Sequence, residues 1–83
     1  MIKIIDYRAP RCSPCKAFIP ILERVTASLW IELVKINVED EWVEIPLDLR
    51  SIPRIDIYKD WNFVTSNVWA INEDDLKELL FSI

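Results

Sequence analysis

The chain has 83 residues, 52 % of them hydrophobic and four of them tryptophan, enough for one small domain over 1–83 with its own apolar core. A net charge of −4 disfavours a general nucleic-acid or membrane-surface role, the lack of histidine excludes Ser-His and Cys-His catalysis, and the lack of glycine excludes the usual Gly-rich phosphate loops. The sequence enters apolar alternation directly after Met1, without a signal peptide's long apolar region, and no apolar run reaches the ~18 residues of a spanning helix, so a soluble, cytoplasmic protein with reduced thiols is expected.

In chain order, Ile2 to Tyr7 is an apolar, β-branched run that fits a buried strand. Ala9 to Cys12 reads as a loop feeding a helix from about Ser13 to Ser28, in which Phe18, Ile21, Leu22 and Val25 form the apolar stripe and Pro20 is expected to introduce a kink. Ile31 to Asn37 alternates as a second strand, and two strands joined by one helix imply a parallel pair. Pro46 interrupts Glu39 to Arg50, which reads as a short helix or an irregular segment. Arg54 to Lys59 and Phe63 to Val68 follow as strands around Asp60-Trp61-Asn62, where Asn or Asp must supply any left-handed conformation in place of glycine. Asn72 then caps a last helix with Glu73, Asp74 and Asp75 in its first turn and Leu76, Leu79 and Leu80 on its buried side.

The chemistry concentrates at Cys12-Ser13-Pro14-Cys15. Thiols at i and i+3 share one helical face at a separation a disulfide can span. Cys12, at the opening turn, lies near unpaired N–H groups and the positive end of the helix dipole, which favours the nucleophilic thiolate. Cys15, one turn further in, is placed to attack a mixed disulfide and release the substrate. Two blander readings remain beside this one. A structural disulfide over so short a loop removes little chain entropy. Two cysteines without histidine close a four-ligand zinc site only if two chains share it, and no metal is expected.

With these residues in view, the chain resembles the thioredoxin family over nearly its whole length. Cys12-Ser13-Pro14-Cys15-Lys16 with Pro20 is similar to the family's Cys-Gly-Pro-Cys-Lys and its helix proline, with Ser13 replacing glycine. Asp6 matches the family's buried aspartate, Lys35 the lysine near it, and Ser51-Ile52-Pro53 the Ile-Pro whose proline is cis. The resemblance implies an α/β protein of minimal thioredoxin fold, a four-stranded mixed sheet in the order β-α-β-α-β-β-α flanked by helices, without the extra N-terminal strand and helix of full-length members.

The supporting residues can be weighed chemically. Asp6 in an apolar strand would be desolvated and its pKa raised, making it a proton acceptor for Cys15; otherwise it hydrogen-bonds the following loop. Lys35 either holds Asp6 partly ionised or faces water from an edge strand. Following the resemblance, Pro53 would lie against the cysteine pair and leave the Ile52 backbone free to bind an extended substrate; otherwise it is a trans proline opening the next strand. Departures from the family pattern bear on specificity. Arg8, Arg11 and Arg54 stand where tryptophan, tryptophan and threonine are usual, so three positive charges would crowd Cys12, favour its thiolate and prefer negatively charged partners, unless they are only solvated. Trp69, in Val68-Trp69-Ala70, replaces the glycine of the family's groove-lining Val-Gly-Ala, and would narrow the groove or anchor a particular partner.

The leading expectation is a monomeric thiol-disulfide oxidoreductase that reduces protein disulfides through Cys12 and Cys15, needs no cofactor beyond that pair, and is recharged by a thioredoxin reductase or by glutathione. A glutaredoxin-like, glutathione-dependent enzyme is one alternative, although the glycine-rich segment of glutaredoxins is missing. A docking module that keeps the fold and works through Trp69 and the arginines is the other.

Overall fold

The structure, a computed structural model, describes residues 1–83. Six elements follow one another: β1 (Ile2–Arg8), α1 (Ser13–Ser28), β2 (Glu32–Asn37), β3 (Arg54–Lys59), β4 (Asn62–Val68) and α2 (Glu73–Phe81). They build the expected four-stranded mixed sheet, in the order β2-β1-β3-β4, with β1 and β2 parallel and the other pairs antiparallel.

The period-2 pattern of β1 sorts its side chains onto two unlike faces. Ile4 and Asp6 lie opposite Ile57 and Ile55 of β3 and share their face. There Ile4, Ile55 and Ile57 meet Phe18, Leu22 and Val25 of α1 and Leu76 and Leu80 of α2, all essentially inaccessible to solvent. Each such side chain contributes about 1.5–3 kcal/mol on burial, so this one layer dominates the stability. α1 continues through Pro20 as a single helix, and α2 begins as expected, with the Asn72 side chain accepting the Asp75 N–H at 2.8 Å.

Both helices therefore cover the same face. The helix in the β2–β3 connection that the expected order contains does not form, and residues 38–53 are turns and irregular backbone. In a helix Pro46 would lack its donor and clash with the carbonyl four residues back, and it disfavours helical geometry at Ile45. What remains before it, residues 39–44, is too short to nucleate a helix in isolation. The opposite sheet face carries Ile5, Tyr7, Arg54, Asp56 and Tyr58, and Ile45 and Pro46 of the irregular segment cross it over an open groove of about 450 Å³.

Without glycine, the chain places four other residues at positive φ: Trp30 (57°), Asp60 (51°), Trp61 (72°) and Trp69 (83°). Asp60 supplies one left-handed turn position as expected, but Trp61, neither Asn nor Asp, supplies the other. The hairpin is one residue tighter than predicted, however, because Lys59 pairs with Asn62 and only Asp60 and Trp61 form the loop. Positive φ at both central residues is the signature of the turn that matches strand twist. Trp30 closes α1, where the Ile31 N–H reaches back to Thr26 O at 2.9 Å in the helix-ending pattern that usually employs glycine.

Candidate active site

Cys12 caps α1. Its backbone is extended, with φ −90° and ψ 105°, and its Sγ accepts the Cys15 N–H at 3.2 Å. An N–H aimed at this sulfur from the first helical turn is what stabilises a thiolate there once the pair is reduced. In the structure the two sulfurs form a disulfide, with Cα atoms 5.2 Å apart. The two cysteines differ in access: Cys12 is half-buried, whereas Cys15 is only 1 % exposed. One sulfur can meet a partner and the other can be reached only through it.

Asp6 lies on the face of β1 that α1 covers, 2 % exposed, and its Oδ1 has no hydrogen-bond partner. Burial pushes its carboxyl up to about 6, and the positive charges of Arg8 and Lys35 pull it back only in part. The alternative of an aspartate bonding the following loop is not what this geometry shows. Lys35 stands opposite Asp6 in the β1–β2 register, on the outer strand, with its Nζ 3.5 Å from Glu23 Oε2 of α1.

The Ile52–Pro53 peptide is cis, and Pro53 is buried with its carbonyl accepting the Trp69 N–H at 2.7 Å. Ile52, just outside β3, makes no backbone hydrogen bond, so its N–H and C=O remain available. Trp69 is 54 % exposed at the end of β4, one residue beyond Val68, which pairs with Arg54.

The expected crowd of three arginines around Cys12 does not exist. Arg54 is 7 % exposed and lies on the far sheet face, across from Tyr7, where it makes a two-pronged contact with Asp56 (2.8 and 3.3 Å) and further bonds to Ser66 (3.2 Å) and Asp48 (3.1 Å). Its charge is consumed there. Arg11 is exposed and paired with Glu39 at 3.0 Å, and Arg8 alone of the three has no carboxylate partner. The reason is the strand period: Arg54 and Asp56 at i and i+2 must share a face, which the sequence itself encodes. Glu23 and Glu39, which pair with Lys35 and Arg11, carry no comparable signal because each contact joins separate elements, and Asp48, six residues before Arg54, lies in a segment with no period to place it.

A family model described as Thioredoxin matches residues 1–82. Among similar proteins, the thioredoxin of Buchnera aphidicola is 30 % identical over 80 residues, covering 93 % of this chain and 74 % of its own. Thioredoxin 1 of Synechococcus elongatus is 31 % identical over 80 residues, with 93 % and 75 % covered. A mutant thioredoxin from Halobacterium salinarum superimposes with a TM-score of 0.85 at 27 % identity, over 98 % of this chain and 73 % of the other. The chain therefore belongs to the thioredoxin family and acts as a thiol-disulfide oxidoreductase through the Cys12–Cys15 pair.

Proposed function

We propose that this protein is a monomeric, cytoplasmic reductant of protein disulfides. In the reduced enzyme the Cys12 thiolate attacks one sulfur of a substrate disulfide, and the other substrate sulfur leaves as a thiolate. Cys15 then gives its proton to Asp6 and attacks Cys12 Sγ, so that the Cys12–Cys15 disulfide forms and the second substrate thiolate departs. Two electrons pass from the dithiol to the substrate, and no cofactor beyond the pair is needed. A thioredoxin reductase, or glutathione, returns them. Lys35 tempers the charge of Asp6. The free backbone of Ile52 beside cis-Pro53 receives the substrate as an added strand, with Arg11 and Trp69 on the rim.

The observation that carries this reading is the contrast between a half-buried Cys12 at a helix start and a sealed Cys15 behind it. A cytoplasmic setting is supported by the chemistry, since a dithiol that donates electrons must be kept reduced. The test is reduction of insulin disulfides with dithiothreitol as electron source. Turnover that is lost in Cys12→Ser supports the proposal, and equal turnover in that variant overturns it. Supplying a flavoprotein thioredoxin reductase with NADPH, or glutathione, in place of dithiothreitol then separates the two donors.

A further inference from the structure

The irregular connection between β2 and β3 is tied to the molecule at very few points. Its start is held: the Val38 N–H meets Arg8 O at 2.8 Å and Glu39 pairs with Arg11. From Glu41 to Ile52, the only backbone hydrogen bond joins the Leu49 N–H to Pro46 O, and Arg50 bonds to Leu47 O, both within the segment itself. A single polar link joins this stretch to the sheet, Arg54 Nη1 to Asp48 Oδ1 at 3.1 Å. Apolar packing adds little constraint. Ile45 and Pro46 cover a groove of about 450 Å³ instead of filling it, and Leu47 is fully exposed.

The sheet end of that link is rigid. Arg54 is fixed by both oxygens of Asp56 and by Ser66, whose hydroxyl also donates to Asp56 Oδ1 at 2.7 Å. Bidentate pairing of this kind fixes direction as well as distance. Beyond Asp48, the chain reaches its next fixed point at Pro53, whose carbonyl is held by the Trp69 N–H. Between the two lie Leu49 to Ile52, the last of which presents the free backbone groups.

We propose that the Asp48–Arg54 ion pair positions the substrate-docking turn, closing residues 49–52 into a short loop between two fixed points so that the Ile52 backbone is held ready for an extended peptide. Asp48 is thus a positioning residue that touches no substrate, and Arg54 serves the site from the far side of the sheet. Without the link, the turn must be ordered anew at each encounter, at the expense of substrate affinity. The inference rests on the docking role given above to Ile52.

The experiment compares Asp48→Ala and Asp48→Glu with the parent protein, using insulin, a small aromatic disulfide that needs no peptide docking, and amide hydrogen exchange. In Asp48→Ala the KM for insulin is expected to rise roughly three- to tenfold with kcat unchanged, since pre-ordering is lost and the chemistry is not. Reduction of the small disulfide stays constant. Exchange quickens at Leu49, the one amide of the turn with a hydrogen-bond partner, but not in β1 or α1, and Asp48→Glu, which keeps the charge, restores both readouts. An unmoved insulin KM, or a matching fall with the small disulfide, overturns the proposal. So does unchanged exchange at the Leu49 amide. If the parent protein itself fails to reduce insulin, the docking role of Ile52 falls instead, and exchange alone decides whether Asp48 holds the segment.

Discussion

Lys35 stands across the β1–β2 ladder from Asp6, yet its ammonium lies 3.5 Å from Glu23 Oε2 and forms no ion pair with the buried carboxyl. Glu23 on α1 thereby competes with Asp6 for the one lysine that faces both. Removing the competitor leaves Lys35 to favour the ionised form of Asp6. In Glu23→Gln the Asp6 carboxyl is therefore expected to titrate below its value of about 6 in the parent protein. A carboxyl-detected NMR titration of both proteins checks this, and an unshifted Asp6 would show that Lys35 stays out of reach.

The carboxyl of Asp6 also makes stability depend on pH. Its folded pKa is raised to about 6 from 3.8, so the folded protein binds a proton more tightly than the unfolded chain. The native state consequently loses stability as pH rises through the window from about 4 to 6, and above it the loss is complete, on the order of 3 kcal/mol. Asp6→Asn removes the charge and leaves a buried amide with incomplete hydrogen bonding, so a gain of about 2 kcal/mol at neutral pH is expected. Urea unfolding at pH 4 and pH 7 should give a flatter profile for the variant than for the parent. Disulfide exchange should slow in the same variant, because Cys15 has lost its proton acceptor, and unchanged kinetics would remove Asp6 from the mechanism.

The arginines near the active site are expected to behave unequally. Arg11 is offset by Glu39, whereas Arg8 has no carboxylate partner and already acts on Asp6. Arg8→Ala should reduce the thiolate fraction of Cys12 in the reduced protein at neutral pH, while Arg11→Ala leaves it nearly unchanged. Ultraviolet thiolate absorbance across a pH series measures both. Equal effects from the two substitutions would mean that the Arg11–Glu39 pair does not persist in solution.

What could be read in the sequence was whatever local pattern dictates. The alternation Ile2–Arg8 and the stripe Phe18, Leu22, Val25 specify β1 and the buried side of α1, and Asn72 with three following acids specifies the start of α2. Cys12 and Cys15 are legible for the same reason, as their spacing and place at a helix start contain the chemistry. Arg54 lies away from its expected place beside Cys12 because its side chain, by strand alternation, faces opposite to the neighbouring cis-Pro53 turn. The connection from Val38 to Pro53 is ambiguous because it has no period, and it is held to the rest of the molecule by few polar contacts, Val38 to Arg8, Glu39 to Arg11, Asp48 to Arg54 and Pro53 to Trp69. The turns were the least legible, since three of the four positive-φ positions hold tryptophan, a residue with no intrinsic preference for that region.

Trp69 brings conformation and specificity together at one residue. Its φ of 83° puts a bulky side chain where glycine is at ease, and its ring is 54 % exposed beside the turn that holds cis-Pro53. A non-glycine residue in this region carries a cost of roughly 1–2 kcal/mol. Trp69→Gly relieves that strain but gives the unfolded chain more freedom, worth about 0.5–1 kcal/mol, so the net stability change is expected to be a gain of no more than about 1 kcal/mol. The functional change should be larger. With the ring gone, access to the docking site proposed at the Ile52 backbone is expected to widen, and insulin, a substrate unrelated to any physiological partner, should be reduced several-fold faster through a lower KM. Unaltered insulin kinetics in a variant that retains its fold would show that the Trp69 ring neither narrows the groove nor selects among substrates.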